Sequence, residues 1–446
     1  MKPRQWILNA VSALVLAAAV WAGQAIPAAE IPKPKVDPVN TRTSVACPVI
    51  DAGSETVVQQ ADLLAPGGEL QATPVSGGQT QTGEHLMLTQ TAPVRVQASR
   101  GAPFGGIVWL NSQEGAERGL SGAWCAAAAA ELWFAGVRSS ATAQAQVLLV
   151  NLDHQEAVAD LAVYAQNGQV VANGSRGIKV PADSSRLVPL SSMLTETEAF
   201  TVQVRNTAGR VAAFVRQRSW NGTTISSDWI PAAAAPDTTT VIPGIAPAES
   251  YALTVANPGK KATSVEIQFL SGEGASAIVG FESLDVPAET TRTLTLDGGL
   301  IETAGGLRLT ASEPVTAAVR MVSVSGKNAD EAYSAAQSPA PASYAFTAVE
   351  GTQAVIVNPG AEQAMLSISG VAEGETGQTV TVPPNSSLVL DFPAGQQVGL
   401  RGDYKVGAAL VVTRKLGKLR GLAVVPLAPP ASNESNVEIV YNPRVG

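Results

Sequence analysis

Leu253-Thr254-Val255-Ala256-Asn257-Pro258-Gly259, followed by Val265-Glu266-Ile267-Gln268-Phe269, alternates apolar with small or polar residues on both sides of a turn. Alternation with period two gives each segment one buried face, so the stretch reads as strand, turn, strand. Proline fixes φ near −65° and glycine accepts φ > 0, which together predict a type II turn. Downstream lie Val286-Pro287-Ala288-Glu289-Thr290-Thr291-Arg292, Leu307-Arg308-Leu309-Thr310 and Val315-Thr316-Ala317-Ala318-Val319-Arg320, each strand-like.

These landmarks recur in the same order. Asn151 and Asn358 match Asn257, and Val180-Pro181-Ala182-Asp183-Ser184-Ser185-Arg186 and Val382-Pro383-Pro384-Asn385-Ser386-Ser387 match the Val-Pro segment. Asparagine and valine stand 29, 29 and 24 positions apart, the last suggesting a shortened hairpin. Val211-Ala212-Ala213-Phe214-Val215-Arg216 and Val406-Gly407-Ala408-Ala409-Leu410-Val411 repeat the final strand. Leu152-Asp153 replaces Pro-Gly after Asn151, so that turn is expected to differ. Upstream, Leu86-Met87-Leu88-Thr89-Gln90-Thr91-Ala92-Pro93-Val94 aligns with Leu307 to Val315, which predicts a degenerate first module ending as the third does.

A period of ~100 residues, with seven or eight short strands in each, predicts an all-β chain of tandem immunoglobulin-like β-sandwich modules. A closed propeller is the weaker alternative, since its blades repeat at ~40–50 residues. The expected units are 45–130, 131–236, 237–338 and 339–430, followed by a tail, 431–446, with an edge strand near residues 436–441. Scarce aromatics (5%) beside 41 Gly and 29 Pro fit short strands joined by turns.

Lys2 and Arg4 precede an apolar run at residues 6–22, an export signal. Its length is close to the ~17–25 residues that span a bilayer. The reading is an uncleaved single-pass anchor over 1–23 with the modules outside the cytoplasm; cleavage near residues 25–29, giving a secreted protein, is the alternative. Residues 24–44, with Pro27, Pro32, Pro34 and Pro38, read as an extended spacer.

The net charge of −8 gives no electrostatic support for a nucleic-acid partner. Two histidines, His85 and His154, make a multi-histidine metal site nearly impossible, and no cofactor is expected. In an exported chain Cys47 and Cys125 read as a disulfide, worth about 4 kcal/mol for so long a loop. Free buried thiols and a catalytic cysteine are the alternatives.

Gly122-Ala123-Trp124-Cys125 with Glu131-Leu132-Trp133-Phe134-Ala135-Gly136, the Asn-Pro-Gly modules, and Val241-Ile242-Pro243-Gly244-Ile245 together resemble an actinobacterial family of exported proteins, domain of unknown function 5719. The resemblance implies a membrane-tethered envelope protein of tandem β-sandwich modules without catalytic residues. The chain departs from the family in having alanines after Cys125, where a proline is expected.

Candidate functional residues are few. All five tryptophans beyond the N-terminal segment, Trp109, Trp124, Trp133, Trp220 and Trp229, fall in the first two modules, as a sugar or partner surface or as core. His154 beside Asp153 lacks a serine presented on a nucleophile elbow. Glu196 with Glu198 and Glu373 with Glu375 are the acid pairs a hydrolase would need. Arg401-Gly402-Asp403 reads as a turn, and Lys405, Arg414, Lys415, Lys418 and Arg420 make the last hairpin basic. The expectation is a non-catalytic structural or interaction protein of a bacterial envelope, its partners envelope proteins or wall polymer. A wall-polysaccharide-binding protein comes second and a carboxylate hydrolase third.

Overall fold

The computed structural model describes residues 42–49, 59–99, 104–115, 117–194, 197–221, 224–297, 301–370 and 377–428. The expected anchor, nearly all of the spacer, the tail, Glu196, Glu373 and Glu375 lie outside the described residues. Among the described residues no helix is long and apolar enough to cross a membrane. The expectation of a single-pass membrane protein is corrected accordingly.

The opening stretch forms two strands that lie in different sheets. Ser250–Asn257 pairs with Thr290–Asp297 and with the C-terminal half of Gly305–Ser325. Thr263–Ser271 pairs instead with the N-terminal half of Gly305–Ser325. The asparagine turn is therefore an arch between sheets. Leu253 and Val255 on one side, and Val265 and Ile267 on the other, close over one core.

Every module repeats this plan. In the second, one sheet orders Gly168–Val170, Ala157–Ala165, Thr197–Ala208 and Glu131–Ser139, and the other orders Ser184–Pro189, Ala143–Asn151, Ala212–Asn221 and Thr224–Ile230. Counted along the module, with Gly168–Val170 and Ile178–Val180 taken as one interrupted fourth strand on Ala157–Ala165, these are the fourth, third, sixth and first strands, then the fifth, second, seventh and eighth. Phe134, Val147, Leu161, Val202 and Val215 from both sheets share its core.

That order corrects the immunoglobulin-like expectation. There the first strand pairs with the second; here it pairs with the sixth, as Glu131–Ser139 does with Thr197–Ala208. In the third and fourth modules the sixth and seventh strands are one continuous strand, Gly305–Ser325 and Gln397–Leu416, whose halves belong to different sheets. The first module obeys the same order, in a register that corrects the sequence alignment. Leu86 and Leu88 lie in its fifth strand, His85–Thr89, while the counterpart of Leu307–Leu309 is Val94–Ser99, held between Arg42–Cys47 and Leu70–Pro74. Arg42–Cys47 also begins the fold inside the expected spacer.

The turn chemistry differs from expectation too. Gly259 and Gly360 are absent from the positive-φ residues. Instead Asn257 Oδ1 and Asn358 Oδ1 each accept the N–H two residues on, at 3.0 Å. Asn151 does the same with Asp153 at 2.9 Å, so the second module's turn is the same Asx turn after all. Among the described residues the non-glycine positions with positive φ are Asp183, Glu289 and Asn385, in the Val-Pro arches. The buried asparagine amides also donate to the carbonyls of Val180, Val286 and Val382, at 3.0, 3.2 and 3.1 Å, pinning the two arches together.

The second sheets are arranged as propeller-like blades. The eighth strands, Gly119–Trp124, Thr224–Ile230, Asn328–Ala335 and Leu419–Pro426, lie side by side around an axis, the fourth again beside the first. Apolar seams fill the joints: Leu110 and Ala123 with Phe214 and Trp229, Ile242 with Val355, Val411 and Val424, and Ile107 with Tyr344 and Val425. The described residues from Arg42 onward form one compact unit.

Candidate functional site

Strand register aligns Arg216, paired with Trp229, with Arg320, paired with Tyr333. The same position holds Val411 in the fourth module and Trp109 in the first. It faces the preceding module, so an arginine there must find its counter-charge across a seam or on its own sheet. Buried Arg216 donates to Glu117 Oε2 at 3.1 and 2.9 Å, to Ser121 Oγ at 3.0 Å and to Ser227. Arg218 completes the clamp on Glu117. Burial works to raise the Glu117 carboxyl, but Arg216, the Ser227 hydroxyl and Arg218 outweigh it and hold it below its usual range.

Arg320 donates to Glu331 Oε1 at 3.0 Å. Arg138, from the second module, donates to Glu331 Oε2 at 2.6 Å and to the Tyr333 hydroxyl at 3.2 Å. Ser219 and Tyr333 donate their hydroxyls to the same carboxylate oxygen. Burial again opposes ionisation, and the two arginines overcome it, so Glu331 too sits below its usual range.

Three residues before Tyr333, the axis is occupied by one side chain. Equivalent positions on the four inner strands hold Gly119, Ser226, Asp330 and Gly421. Asp330 Oδ2 accepts the N–H of Leu120 and of Leu422, both at 3.0 Å, and Oδ1 accepts the Ser226 hydroxyl at 3.0 Å. One carboxyl thus touches all three other modules. Burial dominates its titration and pushes it up to about 7. Neighbouring Asp228 is raised well above its usual value by burial, and its Oδ2 meets no partner among the described residues. A Cβ on Gly119 would stand 2.5 Å from Asp330 Oδ1, so glycine there leaves room for the acid.

Beside the cluster opens a cleft of about 790 Å³ lined by Arg138, Ser219, Trp220, Arg320, Lys327 and Glu331 among others. A smaller apolar chamber of about 270 Å³ lies where the inner strands end, against Trp124, Phe214, Trp229 and Tyr344.

The five tryptophans do not form one platform. Trp109 packs toward the fourth module. Trp124 and Trp229 meet at the chamber, Trp229 lying 5.1 Å beneath the Arg216 guanidinium. Trp133 is buried against Tyr164 with ring centroids 5.6 Å apart. Half-buried Trp220 alone reaches the cleft.

Cys47 and Cys125 are joined in a disulfide that ties the first strand of the first module to its exit. His154 contacts Asp183 at 2.7 Å on the surface, while Asp153 pairs with Arg210, so the two form no dyad. His85 takes the Gln397 amide at 3.0 Å on Nδ1 and contacts Asp62 at 2.9 Å through Nε2, at the joint between the first and fourth modules. Arg401-Gly402-Asp403 corrects another expectation: it lies within the strand Gln397–Leu416 and is no turn. Of the basic hairpin, Arg414 and Arg420 pair with Glu350 and Glu249.

Glu117, Arg138, Asp330 and Glu331 are not legible as a site in the sequence. The available signal is charge on strands that are otherwise buried, above all the arginine closing the repeated Val211–Arg216 and Val315–Arg320 segments.

The model of a family of unknown function, DUF5719, matches residues 87–393. The chain belongs to that family. The DUF5719 match runs from the fifth strand of the first module to just past the fifth strand of the fourth. It therefore contains Glu117, Arg138, Arg216, Asp330 and Glu331. No curated protein matches the chain.

Proposed function

We propose that this DUF5719 protein is an exported, non-catalytic structural or interaction component of a bacterial cell envelope. The observation that carries the reading is the axial cluster, in which Glu117 and Glu331 are each clamped by two arginines and Asp330 is spent on three backbone amides and a serine. A catalytic carboxylate needs a free oxygen within reach of a substrate; Glu117 and Asp330 are turned to their own scaffold, and Glu331, which lines the cleft, has both oxygens engaged. Such bonding stiffens four modules into one platform, and a rigid platform suits the holding of partners. The disulfide adds support for an oxidising, extracytoplasmic setting.

The test is cross-linking and purification of the full chain from its native envelope. Recovery of a constant set of envelope proteins is the expected result. Turnover of a wall polymer by the purified chain, lost in Glu331→Gln, would defeat the reading.

One observation favours a second reading, wall-polysaccharide binding: half-buried Trp220 forms a wall of the large cleft.

A further inference from the structure

The cleft has a charged floor whose sign is unbalanced. Arg138 and Arg320 share the single carboxylate of Glu331. Arg138 spends Nη2 on Glu331 Oε2, Ser219 Oγ and Tyr333 Oη, while its buried Nε meets no partner among the described residues. Arg320 donates one Nη1 hydrogen bond, and its other N–H groups meet no acceptor among the described residues. Two guanidiniums against one carboxylate leave an excess of positive charge at the base of an open cavity of about 790 Å³, whose lining also holds Lys327.

Arg320 is held firmly, because its partner Glu331 is fixed by Arg138, Ser219 and Tyr333. A pre-positioned guanidinium edge suits a planar carboxylate, which it can grip with two parallel bonds. Trp220 supplies the complementary apolar face, and an indole stacks well on the C–H face of a sugar ring. Thr142 adds a hydroxyl to the cleft lining. A neutral sugar would leave the spare charge unanswered, and a small inorganic anion would leave the indole uncovered.

We propose that this cleft binds an acidic glycan, its sugar ring on Trp220 and its carboxylate on Arg320. The inference rests on the polysaccharide-binding reading and narrows it to uronic-acid-type polymers.

Titrating the full chain with tetragalacturonate, a neutral galactose tetramer and inorganic phosphate, followed by calorimetry, tests it. Tetragalacturonate should bind about 10-fold or more tighter than the neutral tetramer, and binding should weaken as salt rises. Trp220→Ala and Arg320→Gln should each lower that affinity about 10-fold, with Trp220→Phe retaining most of it. Unchanged circular dichroism in each variant separates lost binding from lost folding. Equal binding of the neutral tetramer would overturn the acidic specificity and leave glycan binding standing. No binding of either tetramer would overturn both. Phosphate matching tetragalacturonate, with no effect of Trp220→Ala, would reduce the cleft to an anion site and overturn the proposal.

Discussion

Asp330 accepts the backbone N–H of Leu120 at 3.0 Å, joining the inner strand of the third module to that of the first. The same oxygen takes Leu422 from the fourth module, so a single side chain links the inner strands of three modules. Apolar seams join neighbouring modules, and beside them the axis at Asp330 is held by hydrogen bonds and ion pairs, whose worth depends on burial and on protonation.

Protonation gives the first prediction. Asp330 is raised to about 7 in the folded protein, against an ordinary carboxyl near 4. A raised folded value means stability fully present below the unfolded pKa and lost as pH rises through about 7. The loss should total about 4 kcal/mol if the whole shift is expressed. The side-chain amide introduced by Asp330→Asn would keep an acceptor for the Leu120 and Leu422 N–H groups and gain a donor to Ser226, giving up only the longer Glu331 N–H bond to Oδ1 at 3.2 Å, since that N–H also donates to the Ser226 oxygen at 2.9 Å. Melting curves from pH 5 to 8 should therefore decline in the native protein and lie nearly flat for Asp330→Asn. Asp330→Ala should be destabilised at every pH.

Glu117 behaves oppositely. Its folded value is lowered, so its contribution is present above pH 4.5 and lost as pH falls through the folded value. Glu117→Gln leaves Arg216 buried without a full counter-charge, and denaturant titration at pH 7 should show a loss of about 3–5 kcal/mol.

The sequence displays the modules better than their assembly. Asn257 and Val286 are visible as landmarks because one hydrogen bond ties their arches together in every copy but the first, and a constraint that local leaves a local signature. The disulfide is legible because two cysteines allow a single intramolecular pairing. Strand order is not, since pairing of a first with a sixth strand is decided by contacts far apart in sequence. The axial site is harder still: Gly119, Ser226, Asp330 and Gly421 are equivalent in space yet only Asp330 carries an acid, the glycine at 119 leaving room for it. Arg216 and Arg320 stand in the sequence as the end of a repeated strand, and only the seams between modules reveal them as ion-pair donors.

Ring closure rests on another close approach. A Cβ on Gly105 would lie 1.6 Å from the Ala345 carbonyl oxygen, across the joint between the first and fourth modules. Gly105→Ala should force that joint apart, and limited proteolysis should cut there faster than in Gly115→Ala, where a loop glycine meets nothing within 4 Å but holds φ at +79°.

Removing the disulfide through paired Cys47→Ser and Cys125→Ser should cost about 4 kcal/mol by the chain-entropy estimate. Guanidinium unfolding with and without reductant checks this. Reductant should lower the native midpoint and leave the double variant unchanged.

Hydrogen exchange at the amides of Leu120 and Leu422 tests most directly whether the four modules are locked through one axial carboxyl. Both should exchange only on global unfolding in the native protein, and Asp330→Ala should accelerate both together. Protection of each amide that follows its own module's stability, unchanged by Asp330→Ala, would contradict that locking.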